Sequence, residues 1–416
     1  MLRALEAKSK EEGQAILKVD TLNEYTNQWK KTIYMGPYAA LIGPSTSGKS
    51  RLLMEMSQHI CVVYICLRPT NSTGLPPRSA LAEHILHTTA GYKTYYTTLL
   101  AGIFQVVANF FSGQNPTENI QDRLKKWNDY TEVASLGTLD IEKRTQTQFT
   151  ADVLEEMRKF IIRPNATLAG TVAAMRDFTK FIAPSSSMRV LLALDEARAL
   201  LQTPGPSDEI SFFRIFRRTI REIPTGMGIF ILLVDTTSYV ANFSLKSSSF
   251  DSSARYKFEG ENGLYDPIYQ ISSFDAMVPS NPPRSWEELV SPERLFKYGS
   301  PIFGAYFRDA TSEGQLPLVI YGAILELAFY KLRGPTEPAE STQPAMIKPQ
   351  AFAFLGPTIQ PRINGASHLH TELIASHAAH CDYISPGCDL VMSNYPSQFT
   401  LAAAAGDHLR DDSTCI

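Results

Sequence analysis

The segment Gly43-Pro44-Ser45-Thr46-Ser47-Gly48-Lys49-Ser50 constrains this chain more than any other stretch of it. It matches G-x-x-x-x-G-K-[S/T] at every fixed position and stands between the apolar run MGPYAALIG and the helix-like RLLMEMSQHI. Two glycines let the backbone curl so that successive N–H groups face inward and form a nest for anionic oxygens. A helix starting near Lys49 aims its positive end at the same oxygens. In that arrangement Lys49 reaches the β- and γ-phosphates of a nucleotide, and Ser50 offers its hydroxyl to a magnesium ion. Residues 43–50, with Arg51 behind them, are therefore the candidate nucleotide-binding residues. The plain alternative is a strand–helix turn rich in small residues.

The surrounding pattern predicts what such a loop needs. Four short apolar runs read as buried strands: MGPYAALIG, Ile60–Leu67, Val190–Leu194 and Ile229–Val234. Helical periodicity fills the intervals at 79–112, 117–130, 150–183 and 210–223, with Ile268–Ser272 as a candidate fifth strand. Short strands that are apolar on both faces and separated by helices predict a parallel sheet covered on both sides. The expected fold class is thus α/β, a doubly wound, mostly parallel sheet.

Two strand ends carry the remaining chemistry. Leu191–Leu194 runs into Asp195 and Glu196, which places adjacent carboxylates at the carboxyl end of a strand, the edge where open α/β sheets bind ligands. There Asp195 would join Ser50 in holding magnesium, and Glu196 would polarise an attacking water. Otherwise they are acids matching the dipole of a following helix. Leu232–Val234 ends in Asp235 and Thr236, where hydrolases with an additional central strand keep a polar sensor; a helix cap is the bland alternative. Charge on a transferring phosphoryl group also invites an arginine. Arg255, in the Ser-rich stretch 244–263, is the catalytic candidate, and Arg217, Arg218 and Arg221 read better as a solvated helix face.

Composition removes several classes. With 39 basic and 42 acidic residues, net −3, there is no broadly basic surface for nucleic acid, although a local patch is compatible with these totals. Five cysteines, odd in number and scattered, do not make a secreted disulfide framework, and the charged start MLRALEAKSK is unlike a signal peptide. No apolar run reads as a membrane span, so the expected location is intracellular, cytoplasm or nucleus. His368, His370, His377, His380, Cys381 and Cys388 lie close in sequence, but no pair has the C-x-x-C spacing of a structural zinc site. No restriction-type nuclease constellation, serine-hydrolase elbow or dinucleotide-binding G-x-G-x-x-G is present.

With these residues in hand, the chain resembles the P-loop ATPase module of fungal crinkler-like proteins, which are similar to STAND and AAA+ ATPases. GPSTSGKSRLL (43–53), LLALDEARALL (191–201), DTTS (235–238), DSSAR (251–255), FKYGSPIFGAYF (296–307) and NYPSQFTLAAAA (394–405) carry the resemblance. The expected organisation is a helical lead-in over 1–34 and a P-loop NTPase domain over 35–280. A helical, winged-helix-like lid follows over 281–333, then a Pro-rich linker over 334–349 and a small segment over 350–416. The expected activity is magnesium-dependent binding and slow hydrolysis of ATP, with nucleotide state driving a conformational switch. Two alternatives remain: a nucleotide-gated module that binds protein or nucleic acid with little turnover, and a phosphotransferase using the same loop. ATP is the expected ligand; a protein partner or self-association is compatible with the sequence, and a membrane is not expected.

Overall fold

The structure is a computed structural model that describes residues 18–45, 47–72, 76–87, 91–132, 147–163, 166–182, 188–205, 210–236, 263–271, 274–334, 348–361, 363, 367–385 and 390–411. It is a mixed α/β molecule. Helix α1 (18–28) precedes strand β1 (Tyr38–Ile42), helix α2 (Lys49–Met56) and strand β2 (Cys61–Cys66). A helical layer follows: α3 (Ala82–Ile85), α4 (Tyr92–Ser112), α5 (Ile120–Tyr130), α6 (Thr147–Ile162) and α7 (Leu168–Phe178). Strand β3 (Val190–Asp195), a 3-10 turn (Ala197–Leu201), α8 (Phe212–Ile220) and β4 (Ile229–Asp235) complete the sheet unit.

All four strands pair in parallel in the order β1-β4-β3-β2. Both faces are covered, as the near-continuous apolar runs require. Val63, Ile65, Leu192, Leu194, Ile231 and Leu233 point into the core built by α4 to α8. Their neighbours Val62, Tyr64, Leu191, Ala193, Leu232 and Val234 point to the opposite face, where Leu22 of α1 and Leu53 and Met56 of α2 meet them. Each such aliphatic side chain removed from water contributes about 1.5–3 kcal/mol. Trp127 pins α5 to the sheet by donating its indole N–H to the Val62 carbonyl at 2.9 Å.

Two sequence expectations change. The helix expected over 79–112 divides into α3, which ends at Ile85, and α4, which Gly91 enters at φ 83°, a left-handed conformation open to glycine. Of the candidate strand Ile268–Ser272, the described residues 268–271 add no strand to the ladder. Ile268 makes one parallel bridge to Leu41, donating to Ala40 O at 2.7 Å and accepting from Ile42 N at 2.8 Å. Pro267 has no N–H to extend that pairing, and the Ile271 amide turns back to Tyr269 O at 3.0 Å.

Beyond the sheet lie α9 (Trp286–Leu289), α10 (Pro292–Leu295), α11 (Pro301–Ser312) and α12 (Pro317–Arg333). The last three begin on proline, whose missing N–H costs nothing at the first helical position. Then come α13 (Lys348–Ile359), α14 (Ser367–Ser376), an antiparallel pair β5 (His380–Ile384) and β6 (Val391–Asn394), and α15 (Phe399–Asp411). Residues from α11 to α15 share one apolar core, with Phe303, Ile324, Leu332, Phe354, Leu373 and Ala405 inside it. Ala40 and Ile42 of β1 belong to the same core, so this C-terminal unit packs against the strand that leads into the Gly43 loop. Most of the linker expected over 334–349 and of the Ser-rich stretch 244–263 lies outside the described residues. Among the described residues, no helix is long and apolar enough to cross a membrane.

Candidate functional site

The register of the sheet assembles the site. Ile42 lies opposite Asp235, and Asp195 lies opposite Val234 on one side and Cys66 on the other, so the Gly43 loop, Asp195 and Asp235 share the carboxyl edge. The loop is tightly wound: Ser47 donates both its amide (3.0 Å) and its hydroxyl (2.9 Å) to Pro44 O. Gly43 is needed there because a Cβ on it would sit 2.7 Å from Ser47 Oγ. Gly48 takes φ 78° to turn the chain into α2, a conformation open to glycine without strain.

Lys49 is buried and folds back across the loop, donating to Gly43 O at 2.7 Å and Pro44 O at 2.9 Å. Burial lowers its pKa to about 8, although Asp195, Asp235 and Glu196 oppose that shift. Ser50, the next residue, donates its hydroxyl to Asp195 Oδ2 at 3.0 Å across 145 positions of sequence. The Tyr64 hydroxyl reaches the same oxygen at 2.6 Å, and the Glu196 amide holds Oδ1 at 2.9 Å. Burial, reinforced by Asp195, raises the Tyr64 pKa well above its usual range, so this phenol stays protonated and donates.

Glu196 stands at φ 55°, a left-handed conformation that costs a non-glycine residue about 1–2 kcal/mol. Its carboxylate is gripped from two sides, by Arg68 at 3.3 Å and Arg198 at 2.8 Å. A cavity of about 410 Å³ opens beside it, lined in part by Leu67, Pro69, Arg198 and Gln202. Asp235 is buried and works on the backbone: Oδ2 accepts from the Arg198 amide, Oδ1 accepts from the Thr236 amide at 2.6 Å, and its carbonyl accepts from Gly43 N at 3.4 Å. It thereby ties the loop after β1 to the turn after β3. Thr236 is buried beside it.

Other candidates fall elsewhere. Arg51 is mostly exposed and pairs with Glu55 one turn along α2. Thr46 and Arg255 lie outside the described residues. Arg217 and Arg221 do not reach the site. They face the lead-in at the opposite, amino edge, where Arg221 donates to Lys31 O at 3.1 Å and Arg217 lies 3.4 Å from the Met35 sulfur. The face that read as solvated is partly buried against that segment, and Arg218 remains exposed.

Three residues at the site carry no sequence signal. Arg68 follows β2 without any motif, Tyr64 reads as one more aromatic in an apolar strand, and Lys331 reads as a cation in the last turn of a helix. Yet Lys331 donates to Ser45 Oγ at 3.1 Å, with its pKa lowered by burial and then by nearby Arg68.

Among the described residues, no group of three or more His, Cys, Asp or Glu side chains is placed to hold a metal ion. In the C-terminal unit His370 accepts from the Ser393 amide at 2.9 Å, and His377 bonds Leu332 O at 2.7 Å. Magnesium does not need such a cage: it usually takes one or two protein oxygens, the rest coming from phosphates and water. Ser50 Oγ and Asp195 Oδ2, 3.0 Å apart, are two oxygens that fit that requirement.

A family model described as a domain of unknown function (DUF8735) matches residues 15–271, more than half of the chain. The chain belongs to that family. No curated protein and no solved structure matches it. The matched stretch holds α1, all four strands of the parallel sheet and the Ile268 bridge, and it stops before α9. The family region therefore contains the Gly43 loop, Asp195, Glu196 and Asp235, whereas Lys331 reaches the site from outside it.

Proposed function

We propose that the protein is a P-loop NTPase that binds magnesium–ATP, hydrolyses it slowly and uses the nucleotide to set the position of its C-terminal unit. One observation carries this proposal: the Ser50 hydroxyl and the Asp195 carboxylate, far apart in sequence, meet at 3.0 Å beside a G-x-x-x-x-G-K-S loop. The strand order supports it as well, since β4 separates the loop strand from the Asp195 strand, the arrangement of hydrolases with an additional central strand. The quoted resemblance to crinkler-like ATPase modules belongs to the same proposal.

The residues divide the work. The amides of the loop and Lys49 receive the phosphates, and Lys49 exchanges its two carbonyl acceptors for phosphate oxygens. Ser50 and Asp195 would hold magnesium, which when bound neutralises phosphate charge. Glu196 orients and deprotonates water. Arg68, Arg198 and Lys331 supply positive charge around the position of the terminal phosphate. Lys331 on Ser45, and Ala40 and Ile42 inside the C-terminal core, give the loop two routes to the second unit.

The test is ATP-dependent thermal stabilisation and phosphate release. A ligand at a hundred times its dissociation constant stabilises by roughly 2.7 kcal/mol. Lys49→Ala should remove most of that gain; an undiminished gain in the variant sinks the assignment of the loop. A second reading, a nucleotide-gated binding module with little turnover, is favoured by the two arginines on Glu196, which occupy the candidate base. Nucleotide binding without phosphate release would select it.

A further inference from the structure

We propose that Tyr64 is a positioning residue that sets how tightly the Ser50–Asp195 pair holds a divalent cation. The proposal rests on the magnesium–nucleotide function above. Tyr64 is 1% exposed and lies on the face of β2 turned towards α2, in a strand whose other side chains are aliphatic or thiol. Burying a phenol in that layer is costly unless its hydroxyl is paired. It donates to Asp195 Oδ2 at 2.6 Å, closer than the 3.0 Å approach of Ser50 Oγ to the same oxygen. With Glu196 N on Oδ1, both oxygens of the carboxylate are fixed by the protein before any ligand arrives.

The consequence follows from how hard cations bind. Magnesium accepts little deviation from octahedral geometry, so a ligand that arrives oriented binds better than one that must be ordered first. Groups that hydrogen-bond to metal ligands typically account for 10–100-fold in metal affinity. Tyr64→Phe keeps the ring and removes only the hydroxyl, which leaves Asp195 Oδ2 with Ser50 as its donor and the carboxylate plane freer to turn.

The experiment titrates magnesium against ATP-dependent thermal stabilisation, with manganese binding followed by paramagnetic relaxation as a direct readout. In Tyr64→Phe the magnesium midpoint should rise about 10–100-fold, while binding of a fluorescent ATP analogue in EDTA stays at the wild-type level. Tyr64→Leu, which also lacks the hydroxyl but loses ring volume, should move the midpoint by a similar factor. A midpoint unchanged in Tyr64→Phe overturns the proposal, as does one that moves only in Tyr64→Leu, because packing would then be the cause. Absence of any magnesium-dependent ATP binding in the wild type overturns the nucleotide function and this proposal with it.

Discussion

Lys331 and Ser45 are 286 positions apart, yet the Lys331 ammonium donates to the Ser45 hydroxyl at 3.1 Å. The contact joins the last turn of α12 to the middle of the Gly43 loop. It places a cation from the C-terminal unit where a phosphate oxygen would be a stronger acceptor than a serine hydroxyl.

Lys331→Ala should therefore weaken ATP binding while leaving the ligand-free protein folded. Hydrogen bonds to charged groups contribute roughly 1.5–3 kcal/mol, equivalent to about a 10–150-fold loss of affinity. Titration of the ATP-dependent melting shift measures it. Limited proteolysis of the C-terminal unit, with and without ATP, tests the coupling: the variant should lose any ATP-dependent difference. A variant that keeps both wild-type affinity and wild-type protection would leave Lys331 as a packing contact.

Glu196→Gln should retain ATP binding and lose turnover. The amide keeps the size of the side chain but cannot take a proton from water, a loss worth about 10²–10⁴-fold in rate. Phosphate release under saturating ATP is the measurement. Turnover at the wild-type rate would reduce Glu196 to the anchor of Arg68 and Arg198.

The C-terminal unit should lose stability in acid through His380. Burial lowers its pKa from 6.5 to about 4, and its ring packs edge-on against Phe274, with centroids 4.6 Å apart. Between those two values the unfolded chain binds a proton that the folded chain refuses, so stability falls as pH drops through that window. One proton contributes at most about 1.4 kcal/mol per pH unit. His380→Phe should flatten that part of a denaturant-midpoint profile between pH 6.5 and 4; an unaltered slope would assign the acid sensitivity to other groups.

The elements of the sheet were readable because each strand is a short apolar run, and β1, β3 and β4 end in residue types that such edges use. Gly43–Ser50, Asp195 and Asp235 sit at those ends, and the parallel register does the rest. What the sequence could not convey was partnership. Tyr64 counts as one more aromatic in CVVYIC until the fold turns its hydroxyl onto Asp195. Asp235 ends β4, and the sequence does not show that its carboxylate accepts from the amides of Arg198 and Thr236. Lys331 lies on a helix whose periodicity explains only its buried face. Arg217 and Arg221 had the right chemistry for a phosphate, and the direction of α8 carries them to the other edge of the sheet.

The single bridge at Ile268 also bears on the open edge of the sheet. A parallel sheet of four strands has two open edges, and an edge with unpaired amides and carbonyls is a template on which another chain can add a strand. Along β1 that template is interrupted at its centre, because Ile268 occupies both Ala40 O and Ile42 N. A strand added along β1 would find those two groups already taken by the residue that follows Pro267. The segment expected as a fifth strand, as far as Ile271, thus withholds from the edge two of the groups on which pairing would begin.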